Sequence, residues 1–317
     1  MTIPPSSPRT QSVRDAQQLE CACLHALCDR QLAEGGWPFT ASTKQTAVEP
    51  TALACLALPP NLATQCDAAI RSLLHLQNAN GSWPAFAGDD ERGSGYTGLA
   101  LHALRRRGEQ GLVTSRAAHW LLHSQGQEAH WLWKWKFRTS DRHVRFDPDK
   151  FGWPWMPGTV SWVVPTAYSL LALKHLHVDS EREFLEFRIR HGEAMLHDRM
   201  CPGGGWNAGN GVVYGVSLVP HPDATAAALL ALLGEPLNDS TTASLNWLER
   251  RAESLLAPWS LAWTVLALHA FRRSTQPWID RLCAVVEPAK IVDCATLAVA
   301  CLALRCAHGP NVFGGDS

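Results

Sequence analysis

The sequence predicts an all-α chain of about six helical hairpins set in two concentric rings. Two observations carry this expectation. Amphipathic stretches alternate with stretches that are apolar all round, and a short Gly/Trp motif recurs between them. A helix apolar on one face lies at a surface, whereas Ala224-Thr-Ala-Ala-Ala-Leu-Leu-Ala-Leu-Leu233 has to be covered on every side. Six alternations of the two kinds describe an inner ring wrapped by an outer one. Closing the ring leaves no unit with its apolar face bare.

The elements follow in order. Residues 1–14 are rich in Pro, Ser and Thr, lack the apolar stretch of a secretory signal, and read as a flexible tail. Residues 15–317 read as a single ring-shaped domain. Its inner stretches are 46–58, 95–105, 161–174, 223–233, 259–271 and 293–305, and 69–76 exemplifies the outer kind. Pro50, Pro165, Pro222 and Pro258 stand where inner stretches begin. There a missing N–H costs nothing and the fixed φ suits a first helical turn. Gln31-Leu-Ala-Glu-Gly35-Gly-Trp37 and Gln77-Asn-Ala-Asn-Gly81-Ser-Trp83 share the pattern QxxxGxW, and Gly203-Gly-Gly205-Trp206 repeats it without the glutamine. Their glycines supply permissive backbone between outer and inner helices. The third unit carries an insertion, 127–158.

Charge and composition exclude several classes. With 28 Lys+Arg against 29 Asp+Glu the chain has no basic excess for a nucleic-acid backbone. A charged fraction of 18% beside 46% hydrophobic residues is incompatible with disorder over most of the length. Uncharged runs such as 160–173 are too short to span a bilayer, which leaves only peripheral membrane contact open. Cys55, Cys66, Cys283, Cys294 and Cys301 lie in Ala/Leu-rich stretches as small hydrophobes, so a reduced, cytoplasmic protein is expected. Cys21, Cys23 and Cys28 have no second pair beside them to complete a zinc site. No metal and no cofactor are expected.

The QxxxGxW copies, with Thr51-Ala52, Thr166-Ala167 and Thr225-Ala226 downstream, resemble the QW repeats of the squalene/hopene cyclase and protein prenyltransferase β-subunit superfamily. The resemblance implies an α/α toroid with a central apolar cavity, an apolar isoprenoid-like ligand, and a terpenoid cyclase-like function of the proton-initiated (class II) type. Units after about Thr242 match only in helix pattern. Triterpene cyclases of that superfamily carry two such domains, and this chain has length for one.

Polar groups at the starts of inner helices converge on one end of a toroid. Three are acidic: Glu49, Asp223 and Asp293. On the Thr-Ala register, His221-Pro-Asp223-Ala-Thr225-Ala226 is similar to the cyclases' DxDDTA stretch. Asp223 falls at the general acid and His221 at the first aspartate; only one of the three aspartates is present. Asp293-Cys294-Ala-Thr296 resembles the DCTA stretch of oxidosqualene cyclases, with its threonine displaced by one. The resemblance thus makes Asp223, with His221 beside it, the catalytic candidate, and Glu49 and Asp293 substrate-facing. Desolvation favours the neutral acid that alkene protonation needs, while a helix N-terminus favours the ionised form, so Asp223 also reads as an ordinary helix-start residue. Trp162, Trp259 and Trp263 fall on inner stretches, where aromatic faces would shield a carbocation. Trp37, Trp83 and Trp206 read as fillers between the rings.

Within the insertion, Trp131-Leu-Trp133-Lys-Trp135-Lys-Phe137-Arg138 alternates aromatic and basic residues at period two, which reads as an extended segment. As a cover over the cavity mouth it would offer Lys134, Lys136 and Arg138 to a diphosphate or carboxylate, and Trp153 and Trp155 to the substrate. As a brace it would keep those cations solvated or paired with Asp141, Asp147 and Asp149. Asp89-Asp90-Glu91 lacks the fourth-position aspartate of the DDxxD motif, and the adjacent Asp293-Cys294 do not reproduce the DxC zinc spacing of prenyltransferases. Two further functions stay open: a non-catalytic binding or scaffold toroid, and a prenyl-transfer subunit that needs a protein partner the sequence does not name.

Overall fold

The computed structural model describes residues 8–140, 145–176 and 181–314. The inner helices are α2 (Val48–Ala57), α4 (Thr97–Arg106), α7 (Val163–Leu173), α9 (Pro222–Ala231), α11 (Pro258–Ala270) and α13 (Cys294–Arg305). Each packs on the next, and α13 returns to α2, which closes the ring. Around them lie α1 (Pro8–Cys28), α3 (Ala63–Leu76), α5 (Leu112–His123), α8 (Arg182–Arg199), α10 (Asp239–Ala252) and α12 (Gln276–Val285). The architecture is an α/α toroid. All six inner stretches anticipated from the apolar pattern are helices, and the four prolines stand in first turns. One part of the N-terminal expectation is corrected: residues 8–14, placed in the tail, open α1, and Gln276 of α12 donates to Ser12 Oγ at 2.6 Å.

The recurring tryptophan is a clamp between the rings. Indole N–H groups of Trp37, Trp83 and Trp206 donate to outer-helix carbonyls of Leu27, Leu73 and Leu196 at 2.6–2.7 Å. Their backbone N–H groups donate to the hydroxyls of Thr51, Thr97 and Thr225 on the inner helices at 2.9–3.0 Å. Trp153 does the same, to Leu121 at 2.8 Å and Thr166 at 3.0 Å. All four indoles are buried, so both the apolar area and the one polar atom are satisfied. The motif glutamines explain themselves equally: Gln31 Nε2 donates to Gly35 and to Gln65 of the next unit, Gln77 Nε2 to Gly81 and Val113. Gly35 has φ +88°, and a Cβ there would lie 2.3 Å from the Ala68 carbonyl oxygen. No other residue type fits that approach.

The first and last units are tied together. Cys294 N–H donates to Phe39 at 3.0 Å and Ala41 N–H to Val292 at 2.9 Å, while Glu20 of α1 receives Arg305 and His308 at 2.8–2.9 Å.

The insertion is not extended at its aromatic/basic stretch: residues Trp131–Thr139 form a helix, α6. Trp133 and Phe137 pack with tilted rings at i, i+4, with Phe137 against Phe146, and Lys134 and Arg138, also at i, i+4, share Asp149. Behind it, buried Glu128 accepts Ser161 N–H at 3.1 Å and pairs with Arg199, and Arg188 lies over Trp153 and Phe151. A short hairpin, β1 (Val212–Val213) and β2 (Val216–Ser217), turns through Tyr214 and Gly215, both at positive φ.

Candidate functional site

The starts of the inner helices meet at one mouth of the toroid. Glu49, in the first turn of α2, accepts a hydrogen bond from Tyr168 of α7 at 3.3 Å, and Tyr96 at the start of α4 reaches the same carboxyl. Asp223, in the first turn of α9, accepts from the Trp259 indole of α11 at 3.3 Å. Asp293 caps α13, its Oδ1 accepting Thr296 N–H at 2.7 Å. The three acids that the sequence placed at inner-helix starts are therefore brought together across the ring, each half-buried.

Their proximity changes Glu49. Protein surrounds this carboxyl, though it keeps partial solvent contact, and its pKa rises from 4.5 to about 7. Desolvation is the main cause, the charge of Asp293 the next, and that of Asp223 adds to both, while bonds from Tyr168 and Tyr96 to the carboxylate oppose the rise. The α2 N-terminus also favours the anion, but burial beside two acids prevails. Near neutral pH Glu49 is thus about half protonated, next to two hydroxyls whose own pKa values are pushed up by burial and by Glu49.

Below the mouth the ring is packed. Phe313, in the segment after α13, stacks on His102 of α4 at 5.5 Å and meets Trp263 of α11 at 5.3 Å. Since α4 and α11 face each other across the six-membered inner ring, Phe313 sits on its axis. Trp263 in turn contacts Tyr168 at 6.3 Å and Trp259 at 5.7 Å. His102, Phe313, Trp263 and Tyr168 are each 2% exposed or less, so these side chains pack against one another across the ring. The open apolar hollow implied by the resemblance is filled at this level. Asn311 holds the plug by donating to the Leu266 carbonyl at 2.7 Å. The far mouth is a separate cleft of about 800 Å³ bounded by the ends of α7, α9 and α11 and by Phe313.

The remaining candidates divide. Trp259 and Trp263 join the acid cluster. Trp155 packs edge-on against Tyr96 at 5.1 Å and so borders it, and half-buried Trp162 stands at the α7 start beside Gly209. Trp153 does not face a ligand; it is the third unit's clamp. His221 is exposed, and among the described residues its ring makes no hydrogen bond or ion pair, so nothing joins it to Asp223. Lys134 and Arg138 pair with Asp149, and Lys136 lies over the Trp133 ring at 4.4 Å, which is the bracing arrangement; Asp141 lies outside the described residues. Asp90 binds Arg92, and Asp89 accepts Ala85 N–H, so that loop spends its acids locally. The ten cysteines are free thiols. Tyr96 and Tyr168 escaped sequence reasoning, although both occupy inner-helix stretches.

Comparison with solved structures places this geometry in a known fold. A structure described as a novel α-amylase from Clostridium perfringens superimposes with a TM-score of 0.62 at 12% identity, over 90% of this chain and 97% of that one. A protein from Actinoplanes gives 0.57 at 17% identity, over 94% and 99%. These likenesses are likenesses of fold. The type II terpene cyclase MstE from Scytonema aligns at 17% identity over 76% of this chain and 79% of that one, with a TM-score of 0.34. No family model and no curated protein matches the sequence. Among the described residues, no helix is long and apolar enough to cross a membrane.

Proposed function

We propose that the chain is an acid-catalysing enzyme working at the N-terminal mouth of its toroid, with Glu49 as the proton donor. One observation carries this reading: a carboxyl whose pKa lies near 7 between two further carboxyls and two tyrosines, open to solvent on one side. An acid poised near ambient pH is present in its protonated form and still releases the proton readily. Asp223, on the helix across the ring from α2 and oriented by Trp259, and Asp293, at the start of the helix next to α2, place two further carboxyls around the mouth, where positive charge would develop. In this reading Asp223 is a partner of the acid rather than the acid itself, and His221 has no part in it.

The acceptor that suits this site best is an acetal oxygen, as in a glycoside. Acid-assisted glycoside cleavage needs a protonated carboxyl facing a second carboxylate, both near water. Trp259, Tyr96 and Trp155 offer flat amphipathic faces to a sugar. A second reading, isoprenoid cyclisation, is favoured by the aromatic cluster of Trp259, Trp263, Tyr168 and Tyr96 around the acid, which suits a carbocation. It requires the substrate to lie in the mouth, above the packed plug. The test incubates purified protein with α- and β-linked oligosaccharides and, separately, with squalene and C15 to C30 prenyl substrates. Glu49→Gln is expected to lower turnover of the accepted class by about 10²–10⁴-fold. Turnover unchanged in Glu49→Gln overturns the acid assignment; binding of either class without turnover favours the non-catalytic binding toroid instead.

A further inference from the structure

A second site lies in the outer ring, between α5 and the start of α8. His119 and His123 stand four residues apart on one face of α5, and Glu181, directly before α8, meets them. One ligand atom from each lies within 4.8 Å of the other two. His119 Nδ1 and Glu181 Oε1 are 3.9 Å apart, too far for a hydrogen bond. That separation is close to the roughly 3.4 Å kept by two ligands that each sit about 2.1 Å from a tetrahedral ion.

The second histidine is held ready. His123 Nδ1 lies 2.9 Å from the His119 carbonyl oxygen, which makes it the N–H donor and leaves Nε2 with its lone pair free. A backbone carbonyl behind the ring is the usual way a metal-binding imidazole is oriented. Phe184 of α8 packs on that ring at 5.4 Å, and the two imidazoles lie 4.2 Å apart, centre to centre. Both histidines also line a cleft of about 410 Å³ with Asn80, Arg92, Gln125 and Gly158. Three protein ligands next to open space leave a coordination position for water or a small anion.

We propose that His119, His123 and Glu181 form a binding site for a divalent transition metal of the zinc type, which ties α5 to the start of α8 and keeps one position open to the cleft. Two imidazoles and one carboxylate are a borderline donor set that selects zinc, nickel or copper over magnesium or calcium. The site runs against the sequence-based expectation of no metal, because Glu181 follows His119 by 62 residues and stands before a different helix, so the sequence does not show that it meets the histidine pair of α5.

The test titrates chelator-treated full-length protein with Zn²⁺ at pH 7.5 by calorimetry, and records the absorption spectrum of the Co²⁺ form. One equivalent is expected to bind, with affinity reduced at least about tenfold in His123→Ala and in Glu181→Gln and unchanged in His25→Ala. The Co²⁺ spectrum should carry d–d bands without thiolate charge transfer. Absence of binding, binding that survives His119→Ala together with His123→Ala, or a thiolate band pointing to the cysteines would each overturn the proposal. Circular dichroism of every variant confirms that a lost equivalent is not a lost fold.

Discussion

Replacing Glu49 by Gln should make the protein more stable at alkaline pH and leave it unchanged in acid. The carboxyl has a pKa of about 7 in the fold against 4.5 ordinarily, so folding favours its protonated form. That preference is fully satisfied below pH 4.5 and turns into a penalty as the pH rises through 7, where the folded protein must ionise a group the unfolded chain ionises freely. At about 1.4 kcal/mol per pKa unit the penalty is about 3 kcal/mol, and partial solvent contact screens it to roughly 1–2 kcal/mol. Glutamine keeps the shape and an acceptor oxygen for Tyr168 while removing the charge. Urea denaturation of both proteins at pH 5 and pH 8 measures the difference directly. The gap between variant and wild type should widen by about 1–2 kcal/mol in the variant's favour at pH 8. A gap that stays constant, or widens the other way, refutes the reasoning.

Other outcomes follow from single contacts. Phe313→Ala should cost about 3–5 kcal/mol and leave an apolar hole on the ring axis that takes up xenon or benzene, visible in a crystal soak. Gly35→Ala should destabilise by more than about 1 kcal/mol, since its φ is +88° and the Ala68 carbonyl blocks a Cβ; thermal melts suffice to see it. His102 is buried with Nε2 lacking a partner and its pKa lowered to about 3, chiefly by desolvation. Wild-type stability should therefore fall as pH drops from 6.5 toward 3, and His102→Leu should flatten that part of the pH profile, as measured by denaturant midpoints.

The architecture was legible because its signals are local. Gly and Trp stand two residues apart in Gly35-Gly-Trp37, Gly81-Ser-Trp83 and Gly204-Gly-Trp206, and inner helices announce themselves by lacking a polar face. The third clamp was hidden because the insertion separates Trp153 from the helix whose carbonyl it binds, at Leu121. In α6 the same eight residues satisfy two periods. Alternation suggested a strand, but the pairs that form are Trp133 with Phe137 and Lys134 with Arg138, the helical spacing. At the mouth, sequence placed all three acids on inner-helix starts yet ranked Asp223 above Glu49. Register can say which positions converge, but not which carboxyl is enclosed by protein and next to the others. The plug was invisible for a related reason: Phe313 follows the last helix in a segment with no periodicity, and only ring closure brings it to the axis.

The account rests on Glu49 holding its proton near neutrality. Carbon-13 NMR of the side-chain carboxyl groups, recorded from pH 4 to 9 and compared between wild type and Glu49→Gln, isolates that one titration. A resonance missing from the variant and moving with a midpoint near 7 is the result expected. A missing resonance that titrates near 4.5 would contradict the assignment of Glu49 as the proton donor and, with it, the chemistry proposed for the mouth of the toroid.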